Sequence, residues 1–281
     1  MSELDQHILL IDCADEKGLV HRITGVLLGH GLNIISNGEF VDPERKHFFM
    51  RTEFSGSCAE EIVLDELRGV LPKDSTIRLT RRSKKRIVVL VTREPHCLGD
   101  LLLRHAYGEL NAEIGTVIGN HPTLEPLARR FDVPFRCVSH EGLSRQEHEA
   151  RLLEAISAHS PDFVVLAKYM RILTPLFVDR YASRIINIHH SFLPAFAGAK
   201  PYQQAANRGV KIIGATAHFV TGSLDEGPII AQDVIPVDHT HSAVSMAQAG
   251  RDVEKVVLAR ALRLVLEERV FVYENRTVIF P

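Results

Sequence analysis

Apolar positions change their spacing once along this chain of 281 residues, near residue 85. Before that point the segments are short. Residues 7–13 form an apolar run with strand character. Residues 19–28 repeat apolar side chains at three and four, as an amphipathic helix does, and Gly29-His30-Gly31 stops them. Residues 33–42 and 47–55 alternate as a hairpin pair around Pro43-Glu44-Arg45-Lys46. Residues 58–70 form a second amphipathic helix closed by Pro72, and 75–80 alternate again. This order predicts a ferredoxin-like βαββαβ unit over residues 1–82, followed by a linker at 83–86. Beyond it, strands alternate with longer helices. Strands are predicted at 86–91, 112–118, 133–138, 163–167 and 184–188, with a later pair at 212–220 and 229–237. Helices are predicted at 96–107, 144–159 and 242–268, and a closing hairpin at 271–279 around Glu274-Asn275-Arg276. That alternation predicts a doubly wound, mostly parallel α/β unit over residues 87–281.

Composition narrows the function classes. Hydrophobic residues make up 45% and charged residues 24%, enough for a sizeable core without metals or disulfides. The net charge of -2 argues against a nucleic-acid surface. The one basic run, Arg81-Arg82-Ser83-Lys84-Lys85-Arg86, reads as a solvated linker. Cys13, Cys58, Cys97 and Cys137 are far apart, with no C-x-x-C pair, so neither a zinc knuckle nor a disulfide framework is expected. A cytoplasmic location follows, since the first residues are acidic without an apolar signal core and no long apolar run suggests a membrane span.

The candidate chemistry lies where predicted strands end. Asn187-Ile188-His189-His190-Ser191-Phe192-Leu193-Pro194 leaves one strand, His218-Phe219-Val220 closes another, and Leu224-Asp225-Glu226-Gly227 follows in a turn. In open α/β sheets, ligands bind beyond the carboxyl ends of strands. An amide, an imidazole and a carboxylate there supply what acyl transfer needs: a donor for an oxyanion, a proton carrier, and a partner that sets its charge. Several histidines also invite a metal reading, but no H-E-x-x-H spacing is present and adjacent His189 and His190 point opposite ways on an extended segment, so no metal is expected.

Two resemblances sharpen this. The Asp15-x-x-Gly18-Leu19-Val20 turn, with Gly31-Leu32-Asn33-Ile34 entering the second strand, resembles the ACT family of regulatory modules. ACT modules pair side by side and bind amino acids at the interface. The resemblance implies an effector site around Asp15, Gly18, Leu19, Asn33 and Ile34, or a unit that only assembles a homodimer or homotetramer. The run N-x-H-x-S-x-L-P, then H-x-V with an Asp seven residues after that His, is similar to the formyltransferases that use 10-formyltetrahydrofolate. It implies Asn187, His189 and Asp225 as catalytic. It also implies a folate pocket lined by Met170, Arg171, Ile172, Leu173, His218, Val220 and Leu224.

Within that family, residues 92–100 carry one Gly and two carboxylates where a transferase acting on a phosphorylated amine has a Gly-rich phosphate loop. An ACT-like module fused to this domain resembles the formyltetrahydrofolate deformylases. Hydrolysis of 10-formyltetrahydrofolate to formate and tetrahydrofolate is then expected, feeding one-carbon pools and purine biosynthesis, with folate as substrate and no cofactor. Formyl transfer to a small amine and a catalytically inactive regulatory protein are the alternatives. Whether His189 or Asp225 takes the proton from water is open at this level.

Overall fold

The computed structural model describes residues 5–195 and 201–280. Phe196, Ala197 and Gly198 of the loop expected after Pro194 lie outside the described residues. The chain divides into two compact units, Met1–Ser83 with Val278–Pro281, and Lys84–Thr277.

The first unit runs β1 (Gln6–Ala14), α1 (Leu19–Gly29), β2 (Asn33–Asp42), β3 (His47–Ser55), α2 (Glu60–Val70) and β4 (Thr76–Arg81). Its sheet order is β2-β3-β1-β4, antiparallel at every pairing, which is the ferredoxin-like arrangement. Alternation sends Leu9, Ile11 and Cys13 of β1 to one face, where Ile23 and Leu27 of α1 and Val63 and Leu67 of α2 cover them. The turn before α1 needs Gly18 for its backbone, at φ +88°, and not for space, since nothing lies within 4 Å of where a Cβ would stand.

The second unit is built on β5 (Lys85–Val91), α3 (His96–Ala106), β6 (Ala112–Gly119), α4 (Glu125–Arg129), β7 (Phe135–Cys137), α5 (Arg145–Ser157), β8 (Phe163–Leu166), α6 (Pro175–Arg180), β9 (Ile185–His189), α7 (Pro201–Arg208), β10 (Ile212–Phe219), β11 (Ile229–Pro236), α8 (Ala243–Leu266) and the hairpin β12 (Val270–Tyr273) and β13 (Arg276–Ile279). The seven-stranded sheet has the order β11-β10-β9-β8-β5-β6-β7. Strands β9 to β7 are parallel, whereas β10 runs antiparallel to both neighbours. Each central strand is apolar on both faces because each face has its own core. Ile87, Val89 and Val91 meet α3 and α8 on one side. Val88 and Leu90 meet Leu152 and Ile156 of α5 and Phe177 of α6 on the other. The chain leaves β5 towards β6 and β7 in one direction and adds β8 and β9 in the other. The topological switch point therefore falls between β5 and β8.

Three details differ from the sequence reading. Lys85, expected in the linker, already belongs to β5, as does Arg86, where the predicted linker and strand meet. Val278–Pro281 group with the first unit, where Phe280 is buried against β2 so closely that a Cβ on Gly38 would stand 2.9 Å from its ring. Helices α4, α6 and α7 were not anticipated; at five to eight residues they are too short to display a helical period. Phe177 is fully buried in the α5–α6 core. Phe177→Ala is expected to cost about 3–5 kcal/mol of stability, read as a lowered urea midpoint at unchanged slope.

Candidate active site

The register of β9 against β10 assembles the polar centre. His189 stands opposite Thr216 and Asn187 opposite His218, and the period of two puts all four on the same face of the sheet. Asn187 Nδ2 lies 3.2 Å from His218 Nε2, while His218 Nδ1 lies 2.8 Å from the Phe219 carbonyl oxygen. A carbonyl only accepts, so Nδ1 carries the His218 proton and Nε2 accepts from the Asn187 amide. One N–H of Asn187 is thereby fixed and the other left to donate.

After β10 the turn at residues 220–228 folds back over this face. Asp225 sits in it at φ +57°. Its Oδ1 lies 3.3 Å from His189 Nδ1 and 3.7 Å from His218 Nε2. Burial pushes the Asp225 carboxyl up, but the hydrogen bond from His189 outweighs it and holds the group well below the usual carboxylate range. With Nδ1–H turned to Asp225, His189 keeps its lone pair on Nε2. That atom is buried and has no hydrogen-bond partner among the described residues. Gly227 is required by close approach, since a Cβ there would stand 1.8 Å from the Phe219 oxygen. The C-terminal hairpin props the turn: Asn275 Nδ2 donates to the Glu226 carbonyl at 2.9 Å and Thr277 Oγ1 to that of Ile229 at 2.6 Å.

The chain leaving His189 is held by the hydroxyl of Thr216, which accepts from Leu193 N and Gln232 Nε2 and donates to the Ser191 carbonyl. The segment at 168–174 is pinned at both ends. Met170 N donates to Thr92 Oγ1 at 2.9 Å, and Thr174 N and Oγ1 both donate to the buried Glu149 carboxylate. Between these anchors Met170 and Ile172 are exposed, as is Leu224 in the turn, with Arg171 half-buried. Leu173 and Val220 pack against the α5–α6 core. His218 departs from the pocket-lining place expected for it: its side chain is buried and both ring nitrogens are engaged by protein.

In the first unit, Asp15 N donates to the Lys46 carbonyl, Gly18 precedes α1, Leu19 is buried in the core, and Asn33 and Ile34 open the edge strand β2. No side chain caps the N-terminus of α1.

A second polar cluster escaped the sequence reading. Glu254 of α8, 1% exposed, accepts from His96 Nε2 at 2.7 Å, Lys168 Nζ at 3.2 Å and Tyr202 OH at 2.8 Å. Burial pushes its carboxyl up, but His96, Lys168 and Tyr202 together pull it down to about 2. The signal in the sequence is a carboxylate on the apolar stripe of α8, beside Val253, Val257 and Leu258. His96, Cys97 and Glu254 also form the one trio of metal-capable side chains found among the described residues, with ligand atoms within 4.8 Å of one another. The donor set fits a cation poorly. Lys168 already supplies the positive charge, and burial, followed by the negative charge of Glu254, holds the Cys97 thiol far above its ordinary range. No helix among the described residues is long and apolar enough to cross a membrane.

Residues 85–262 match the formyl transferase family. A formyltetrahydrofolate deformylase from Haemophilus influenzae is 58% identical over 98% of this chain and 99% of its own. The crystal structure of a formyltetrahydrofolate deformylase from Pseudomonas syringae superposes with a TM-score of 0.94 at 41% identity, covering 99% of this chain and 95% of that one. A glycinamide ribonucleotide transformylase from Symbiobacterium toebii shares the fold over 70% of this chain and 94% of its own, at 33% identity and a TM-score of 0.67. With near-complete coverage by its deformylase relatives and the formyl transferase match over the second unit, the chain belongs to the formyltetrahydrofolate deformylase family.

Proposed function

We propose that the second unit hydrolyses 10-formyltetrahydrofolate to formate and tetrahydrofolate, with Asn187, His189 and Asp225 as its catalytic residues. The observation that carries this reading is the Asp225 carboxylate on His189 Nδ1, which leaves Nε2 as a base on the same face as the free Asn187 N–H. Water gives a proton to His189 Nε2 as its oxygen bonds to the formyl carbon. Asn187 donates to the developing oxyanion. The proton then passes to N10, the C–N10 bond breaks, and formate and tetrahydrofolate leave. Asp225, held ionised, is a weak base and serves to stabilise the imidazolium, the role a carboxylate plays beside a catalytic histidine. His218 positions Asn187. Met170, Arg171, Ile172, Leu173, Val220 and Leu224 form the rim and wall for the folate. The exposed apolar side chains at 170, 172 and 224 favour that assignment.

The first unit, in this proposal, regulates or assembles the enzyme as a homodimer or homotetramer. The uncapped α1 N-terminus behind Gly18 suits an amino-acid carboxylate, and the exposed edge of β2 suits pairing. The reaction needs no metal, because base and oxyanion donor both come from the chain. The four free thiols suit a reducing, cytoplasmic setting.

Purified protein incubated with 10-formyltetrahydrofolate and a chelator, without any amine, is expected to release formate and tetrahydrofolate catalytically. Turnover only after an amine is added would make it a transferase. Asn187→Ala is expected to lower kcat by roughly 10²–10³. Asp225→Asn is expected to lower it by roughly 10²–10⁴ while the folate dissociation constant stays near wild type. Since the folded protein depresses the Asp225 carboxyl, its charge stabilises the fold above about pH 4 and that contribution is lost as the pH falls. The stability gap between wild type and Asp225→Asn, measured by urea unfolding, should therefore be widest near neutrality and narrow on acidification.

A further inference from the structure

The catalytic centre has two sides. Asn187, His189 and Asp225 face the folate rim, and the ring of the next residue, His190, which follows β9 in a bend, lies beside that of His189 and approaches Tyr202 of α7. The Lys168–Glu254 cluster adjoins His190 through Tyr202. Its members come from the loop after β5 (Glu94), the start of α3 (His96), the loop after β8 (Lys168), α7 (Tyr202) and α8 (Glu254). The first three flank the switch point, where a second ligand of an open α/β sheet would enter.

The cluster is joined to the centre through a line of rings: His189 to His190 at 5.0 Å between centroids, and His190 to Tyr202 at 6.2 Å. Burial, and next to it the ammonium of Lys168, push His190 down to about 4, so this imidazole is neutral at pH 7.

The cluster is built to be full. Lys168 is 4% exposed and sits at φ +62°, a conformation that is strained for any residue but glycine. Its ammonium reaches Glu254 at 3.2 Å and Glu94 at 4.0 Å. Tyr202 lies so close to α8 that a Cβ on Gly250 would be 2.0 Å from its hydroxyl oxygen. A glycine inside a helix is unfavourable against alanine, and here it makes room for that phenol. Tyr202 is also a wall of a groove of about 410 Å³ lined by Gln203, Ala243, Val244, Ala247 and Arg251, and its hydroxyl bonds the buried Glu254. The formyl transferase fold serves a transformylase as well, so the fold by itself does not choose the acceptor.

Building on the hydrolytic reading, we propose that the buried Lys168–Glu254 pair, braced by His96 and Tyr202, occupies the acceptor side of the catalytic centre and thereby makes water the nucleophile. A primary amine admitted there would attack the same formyl carbon. Its nitrogen would bond to that carbon, the C–N10 bond would break, and the amine's proton would pass to N10, giving a formamide and tetrahydrofolate.

The test follows tetrahydrofolate, formate and N-formylglycinamide as the full-length protein turns over 10-formyltetrahydrofolate at increasing glycinamide. Wild type is expected to give one formate per tetrahydrofolate at every glycinamide concentration. The double variant Lys168→Gly with Glu254→Gln removes the block without leaving a lone buried charge, and glycine suits the backbone at 168. In it the ratio of formamide to formate should rise with glycinamide, by roughly tenfold or more over wild type, the scale set by opening a pocket. Lys168→Ala with Glu254→Gln is measured in parallel in case the glycine version unfolds. A folded variant that keeps one formate per tetrahydrofolate overturns the proposal. So does a folded variant that releases neither product, since the pair would then belong to the hydrolytic machinery, and so does formamide production by wild type. Wild type that releases no formate without an amine marks failure of the hydrolytic reading itself.

Discussion

A half-buried negative charge at Asp225 is the constraint around which the second unit is arranged. A carboxylate partly out of water is costly unless a donor meets it, and here the donor is the His189 imidazole. His189 gives up Nδ1–H to it and so presents Nε2, and His218 flanks it while orienting Asn187. The Phe219 carbonyl ties the pieces together. It fixes the tautomer of His218, and it lies so near the backbone at 227 that only glycine fits there. One oxygen thus ties the imidazole that orients Asn187 to the turn that carries the charge.

The sheet then separates two kinds of surface at one edge. On the side of Asn187 and His189, a segment pinned by Thr92 and Glu149 presents apolar side chains to solvent. On the side of α8, charged and aromatic groups satisfy one another and leave little exposed. An open apolar rim beside a closed polar cluster is an asymmetry that the strand order alone does not dictate.

The sequence made the framework legible because strand and helix periods are local. The five parallel strands, the late antiparallel pair and the βαββαβ unit follow from runs of apolar residues and their turns. The N-x-H…H…D pattern pointed to the three groups that the structure brings together, since that spacing survives as a motif in the chain. His218 was assigned to the pocket because proximity in sequence to Val220 says nothing of cross-strand register; pairing with Asn187 decides its place. Lys168, His96, Tyr202 and Glu254 were not found as a set because they arise on separate elements, and their only local trace is a carboxylate within an apolar helical stripe. The short helix α6 is set by a Thr174 cap and Pro175, signals visible in the chain but too brief to show a period.

Lys168 holds a left-handed backbone that glycine would adopt without cost, while its ammonium neutralises a carboxylate that could not stay buried alone. The two preferences pull in opposite directions during evolution. Drift from lysine to glycine relaxes the main chain yet strands Glu254, so the position is locked unless the second residue changes as well. Such a pair forms an epistatic latch: either change alone strands a buried charge, and both sites must change together for the core to stay neutralised.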